Sequence, residues 1–322
     1  MPYLIGTDEA GYGPNLGPLV ISASVWRVPD GVDADGLYRL LDGIVAGPGQ
    51  LADVSPARIV IADSKAVYQS GKGLAPLERS VLAAMALVGR RPATWREVWD
   101  GLAGGSLDPC HALPCYTDYD APVPLDADAA EIHWLAERVE KGFRAAGIEL
   151  VALRSRAIFE TEFNDLVERH GSKGTVLSHA TLELAAHALA PLVQGPISVR
   201  CDKHGGRNFY HRLLCEWFPQ WLVEVYGEGR AESLYRFGPA ERRVEFRFQA
   251  KGERCLATAL ASMASKYLRE LAMRALNAFW CGRLPGLAPT AGYPADAKRF
   301  KSDVAAFQAR LGTADRLLWR CR

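Results

Sequence analysis

The sequence predicts an α/β protein built on a mixed sheet flanked by helices. Three observations carry that prediction. Two β-rich runs at the start are separated by a Gly/Pro loop, so the chain opens as an antiparallel meander. Helical and strand-like segments alternate after it, and residues 256–280 hold the strongest helical periodicity in the chain. The 322 residues, 49% apolar and 23% charged, have the composition of a folded globular chain with room for a large core. No run reaches the roughly 18 apolar residues of a membrane helix, and the start lacks a basic-then-apolar signal. A cytoplasmic monomer with no membrane association is therefore expected.

Residues 2–8 (PYLIGTD) and 19–28 (LVISASVWRV) are the opening strands. A loosely helical stretch (33–45), a strand (58–63, RIVIAD) and a helix (77–88) follow. Between 90 and 130 the composition shifts to Trp95, Trp99, glycines at 101, 104 and 105, and prolines at 109, 114, 122 and 124, which predicts an inserted subdomain or lid. Next come helices at 127–146 and 181–190 around a strand at 148–156, then a strand at 197–202 (ISVRCD), a helix at 208–217, and strands at 221–227 and 242–253. In the helix of 256–280, Leu256, Leu260, Met263, Tyr267, Leu271 and Leu276 form the core stripe. Ser262, Lys266 and Arg269 mark another face, where the two cations are expected to be solvated.

Seven cysteines are dispersed with no CxxC pair, which predicts reduced thiols. The Cys110, His111, Cys115 spacing fits no zinc pattern. A net charge of +1 gives no global attraction to nucleic acid, although Lys203, His204, Arg207 and Arg212 cluster locally, as do Arg299 and Lys301.

Residues 5–18, IGTDEAGYGPNLGP, combine two acids with a Gly/Pro loop. The dinucleotide fingerprint fails here, because Gly11, Gly13 and Gly17 have the wrong spacing and a β run follows. The P-loop fails as well, for want of Gly-Lys-Ser/Thr. Asp8 and Glu9, at a strand end beside glycines that permit a sharp bend, suit a hard divalent cation, which can hold a phosphate that carboxylates alone repel. Asp63, Asp202 and Glu253 end other strand-like runs and are candidates for further oxygen ligands. His204 and Arg207, next to Asp202, are candidates for orienting a substrate.

In chain order, GTDEAGYGPNLGPLVISA (6–23), ADSK (62–65), SHATLELA (178–185), VRCDKHGGR (199–207), KGERCLATALASMASKYLRE (251–270) and GYPADAKRF (292–300) resemble segments of the type 2 ribonucleases H, ribonuclease HII and its relative HIII. The resemblance implies a ribonuclease H-like fold, with Asp8, Glu9, Asp202 and Glu253 as catalytic carboxylates holding two Mg²⁺ or Mn²⁺ ions. It implies hydrolysis of RNA in RNA–DNA hybrids, or of ribonucleotides embedded in duplex DNA, giving 3′-hydroxyl and 5′-phosphate ends. Gly11, Tyr12 and Gly13 fall where the family reads the ribose 2′-hydroxyl. Ser64 and Lys65 fall near the substrate backbone, and Tyr293 at the RNA–DNA junction. Residues 1–89 and 131–280 would form the catalytic core, and 281–322 a helical extension that contacts substrate. Four departures keep open an altered nucleic-acid specificity or a catalytically silent binding protein. Tyr12 stands in place of Arg, Glu253 in place of Asp (with Gly252 at the strict register), Ala295 in place of Thr, and residues 90–130 have no counterpart in compact members.

Overall fold

The structure is a computed structural model and describes residues 1–34, 36–52, 54–68, 73–107, 113–250 and 254–321. Its strands are β1 (Tyr3–Ala10), β2 (Leu19–Arg27), β3 (Val45–Ala46), β4 (Ile59–Val60), β5 (Glu149–Ile158), β6 (Ile197–Asp202), β7 (Glu224–Glu228), β8 (Glu232–Phe237) and β9 (Val244–Gln249). The helices are α1 (Leu37–Leu40), α2 (Ser64–Val67), α3 (Ala75–Leu87), α4 (Trp95–Ala103), α5 (Pro114–Thr117), α6 (Ala129–Ala145), α7 (Glu160–His170), α8 (Lys173–Leu189), α9 (His211–Trp217), α10 (Leu256–Cys281), α11 (Pro294–Arg310) and α12 (Asp315–Leu318).

Among the described residues a seven-stranded sheet runs in the order β5-β2-β1-β6-β9-β8-β7. Its centre is parallel, β1 beside β6 and β6 beside β9. The opening meander β1–β2 is antiparallel and continues into antiparallel β5, while β8 and β7 close the other edge. This is the mixed sheet flanked by helices that the sequence predicts. Helices cover both faces, which explains why β2 is buried along nearly its whole length. One core cluster holds Trp26, Leu77, Trp95, Trp99, Leu260 and Tyr267; another holds Leu182, Tyr210, Leu214 and Phe246.

Helix α10 lies across β1 and β2, and its approach depends on Gly6. A Cβ there would sit 2.1 Å from the Thr258 nitrogen and 2.2 Å from the Ala257 carbonyl carbon. The face marked by Ser262 and Arg269 is buried rather than solvated, at 3% and 2% exposure.

Several elements depart from the sequence expectation. The run RIVIAD supplies only β4, which pairs with β3 in a separate two-stranded parallel sheet. The loosely helical stretch of 33–45 is mostly turn, with α1 its one short helix among the described residues. Of the strand expected over 242–253, β9 forms the middle, a 3-10 turn at Ala240–Arg242 takes its start, and residues 251–253 lie outside the described residues. β8 has no counterpart among the expected elements, although its alternating burial is that of a one-face-buried strand.

Within 90–130, Trp95 and Trp99 are fully buried, and Trp95 Nε1 donates to the Leu271 carbonyl of α10 at 3.1 Å. These two rings belong to the main core and offer no face for stacking a base. The described cysteines are all free thiols, and Cys110 lies outside the described residues. No helix among the described residues is long and apolar enough to cross a membrane.

Candidate active site

The parallel pairing of β1 with β6 sets Thr7 opposite Cys201. One residue further along, Asp8 and Asp202 come side by side at the carboxyl end of two adjacent strands. In a mixed or parallel sheet this is the end where ligands bind. Glu9 follows Asp8 on β1. All three are partly exposed.

Their electrostatics are those of acids crowded together. Burial, then the charges of Glu9 and Asp202, raise the Asp8 carboxyl well above the usual range, against a lowering hydrogen bond from Ser262. Burial and Asp202 raise Glu9 to about 7, opposed by a hydrogen bond to Asp8 and by the Lys65 charge. Lys65 is therefore the cation that the fold brings to this group. Ser262 Oγ also lies 3.0 Å from Ser64 Oγ, and Ser265 Oγ donates to the Asp8 carbonyl at 3.0 Å, so α10 steadies the acid-bearing end of β1. Asp63 is engaged elsewhere: it caps α2 by accepting the Lys65 backbone N–H at 3.0 Å.

Glu253 lies outside the described residues. Among the described residues no three His, Cys, Asp or Glu side chains converge to coordinating distance. The donor set nevertheless fits hard divalent ions, being all carboxylate oxygen with its mutual repulsion only partly relieved by Lys65. Asp8, Glu9 and Asp202 are the residues that would hold them.

The loop after β1 turns at Gly11, whose φ of +90° suits only glycine and where a Cβ would meet the Pro18 carbonyl oxygen at 2.5 Å. Gly13 faces open space. Tyr12 reaches back toward the start of α8 and the loop after β6. Lys173 Nζ stands 4.9 Å from its ring centroid, and a Cβ on Gly205 would lie 2.7 Å from its hydroxyl oxygen. The close approach made possible by Gly205 is thus taken by a side chain of the protein itself. Burial, then the Glu9 charge, raises the Tyr12 phenol, with Arg207 opposing.

The other expected substrate residues are dispersed. His204 is in the core at 3% exposure, its ring edge against Tyr210 and Phe248, with Nδ1 3.1 Å from Ser178 Oγ. Burial pushes it down to about 3, and it presents no surface to a substrate. Arg207 is half-buried and donates to Thr175 Oγ1 at 3.2 Å. Ser64 is buried, whereas Tyr293 is 54% exposed at the start of α11. Lys203 is consumed by the Arg207 and Gly229 carbonyls, Asn208 and Ser233. Arg299 and Lys301 are occupied by Asp296, Asp303 and Asp315.

Sequence reasoning misses the support beneath the loop. Buried Glu160 accepts the Gly17 N–H at 2.6 Å, and buried Arg269 donates to the carbonyls of Leu16, Pro18 and Ala291 at 3.0–3.2 Å. The available signal for Arg269 is its place on the same helical face as Ser262, seven residues, or two turns, away.

No protein-family model and no curated protein matches the sequence. Among solved structures, the chain is similar to ribonuclease HII of Archaeoglobus fulgidus in its complex with PCNA, with 15% identity over 99% of this chain and 94% of that one and a TM-score of 0.43. It is similar to ribonuclease H2 of Pyrococcus horikoshii OT3 at 16% identity over 98% and 92%, with a TM-score of 0.40. A third is Bst ribonuclease HIII in complex with Mn²⁺, at 14% identity over 99% of this chain and 65% of that one, TM-score 0.39. Each is a type 2 ribonuclease H, the group that the sequence segments resemble. At these identities and scores the likeness carries no statement about the site, and the α/β architecture rests on the sheet order itself.

Proposed function

We propose that the protein is a metal-dependent endoribonuclease of the type 2 ribonuclease H kind, acting on RNA in a hybrid or chimeric duplex. One observation carries the reading. Asp8, Glu9 and Asp202 lie at the carboxyl ends of β1 and β6, where burial and then neighbouring acid charge raise Asp8 and Glu9, beside a loop whose Gly13 is open to a ligand. Crowding of this kind is relieved by a cation, and the Lys65 charge lowers Glu9 only in part.

Asp8, Glu9 and Asp202 would hold the metal ions, with Glu253 as the further ligand expected from the sequence. Bound divalent ions supply the acidity that makes water a nucleophile at neutral pH and the charge that stabilises the departing oxygen. Ser262 and Ser265 keep the Asp8 end of β1 in place. Lys65 contributes a point charge for a phosphate oxygen at the edge of the acid group. The loop backbone at Gly11 to Gly13 approaches the sugar closely enough to sense a 2′-hydroxyl.

The test is cleavage of a duplex carrying one ribonucleotide, beside all-DNA and all-RNA duplexes, with Mg²⁺ or Mn²⁺. Cutting at the ribonucleotide that vanishes with EDTA is the expected outcome. Equal cutting of the all-DNA duplex would sink the 2′-hydroxyl reading. A second reading, altered substrate specificity, is favoured by Tyr12, whose phenol fills the niche at Gly205 where a basic side chain would project differently. Preferential cutting of all-RNA duplex would select it.

A further inference from the structure

The opening loop is held from below by a residue 309 positions away. Arg320 is 4% exposed, and its Nη1 donates to the Gly11 carbonyl at 2.6 Å. Its Nε donates to the Gly17 carbonyl at 2.7 Å, and Nη2 reaches the same oxygen. The Arg320 backbone N–H donates to the Asn15 carbonyl at 2.9 Å. The backbone carrying it is fixed in turn by Asn164, which donates to the Trp319 carbonyl at 2.9 Å and accepts the Cys321 N–H at 2.7 Å.

A buried guanidinium needs its donors satisfied and its charge balanced. Here the donors end on loop carbonyls, the Phe163 ring centroid lies 4.8 Å away, and Glu160 supplies the opposite charge. Burial and the neighbouring Arg269 lower Arg320 to about 9, which leaves it charged at neutral pH.

The consequence concerns one peptide plane. In a trans peptide the C=O and the following N–H point in opposite directions. Holding the Gly11 carbonyl down onto Arg320 therefore turns the Tyr12 N–H away from Arg320, onto the opposite side of the loop. Without that hold, Gly11 is the residue of the loop freest to let the plane rotate.

We propose that Arg320 is a positioning residue that fixes the Gly11–Tyr12 peptide plane, so that the Tyr12 N–H faces the substrate and the loop discriminates a ribose 2′-hydroxyl. The discrimination rests on the nuclease reading above; the fixing of the plane does not. Lysine cannot replace the arginine here, because a single ammonium cannot span the Gly11 and Gly17 carbonyls as the planar fork does.

The test uses Arg320→Lys, which keeps the charge, and Arg320→Met, with circular dichroism to establish folding. Hydrogen exchange is followed on the peptide covering residues 9–18. Exchange about tenfold faster or more in the lysine variant is expected, the worth of one charge-assisted hydrogen bond. Unchanged exchange in a folded variant overturns the proposal, whatever the protein cuts. Affinity is then measured, with Ca²⁺ in place of Mg²⁺, for a duplex carrying one ribonucleotide and for the all-DNA duplex of the same sequence. The ratio of the two affinities is expected to fall by about tenfold in the lysine variant. A merely structural role would weaken both equally and leave the ratio intact, which overturns the specificity role. If the wild-type protein itself shows no preference, the nuclease reading fails and the exchange measurement alone decides the proposal.

Discussion

The two faces of the opening loop carry opposite charges in opposite arrangements. On the upper face, Asp8, Glu9 and Asp202 repel one another, with Lys65 as a partial counterweight. On the lower face, Arg269 and Arg320 are buried, yet their donors end on backbone carbonyls, and Glu160 accepts the Gly17 N–H beside them. The lower face sets its guanidiniums against acceptors, and the upper one sets acid against acid. Acids crowded together at partly exposed strand ends point to an external partner, whereas guanidinium donors that are buried and satisfied point to architecture.

The largest expected effect comes from the upper face. Asp8→Asn should reduce cutting by on the order of a thousandfold or more, while the thermal midpoint holds or rises, because a neutral amide relieves repulsion from Glu9 and Asp202. Retained cutting, or a sharp loss of stability, would erase the contrast between the faces. Mg²⁺ should raise the midpoint of the wild type and shift that of Asp8→Asn less, an outcome that thermal melts at stepped Mg²⁺ concentrations would read.

Arg269→Met should show the reverse pattern. The carbonyls of Leu16, Pro18 and Ala291 lose their donor, so stability should fall by about 3 kcal/mol in urea unfolding. A loss below about 1 kcal/mol would mean that the guanidinium is not the anchor its hydrogen bonds suggest.

A smaller effect is expected from pH. Burial raises Glu160 above its usual 4.5, so the folded state keeps a proton that the unfolded state releases as pH climbs past that value. Its ionisation therefore costs stability progressively above pH 4.5 and up to its folded pKa. Glu160→Gln removes this dependence, and its melting temperature relative to wild type should improve from pH 5 to pH 8. A difference independent of pH would show that Glu160 titrates normally.

The smallest effect is expected from Tyr12→Arg, which adds one cation at the loop. Duplex affinity should gain salt sensitivity by about one unit of slope in log affinity against log salt. No change in slope would mean that the new side chain points away from the phosphates.

Much of this architecture is legible in the sequence. The opening strands, the strand ending in Asp202 and the long helix α10 all lie close to their expected bounds, because β-branched runs broken by glycine, and apolar positions at helical spacing, are strong local signals. The position of Asp8, Glu9 and Asp202 at strand ends belongs to the same local grammar. What a single chain does not disclose is pairing over distance. β4 looks like a central strand but pairs only with β3, since the partner and not the run decides which sheet it joins. His204 sits among basic residues in sequence and among aromatic rings in space. Arg269 and Arg320 look like ordinary surface cations, because nothing local announces that loop carbonyls will close over them.

Gly6 has a mechanical meaning. By leaving out a side chain, it makes the contact between β1 and the start of α10 one of backbone against backbone. Such a contact has no rotamers through which to relax, so the helix cannot slide or tilt without moving the strand. The serines of α10 that reach the Asp8 end of β1 are therefore coupled to the strand that carries Asp8 and Glu9.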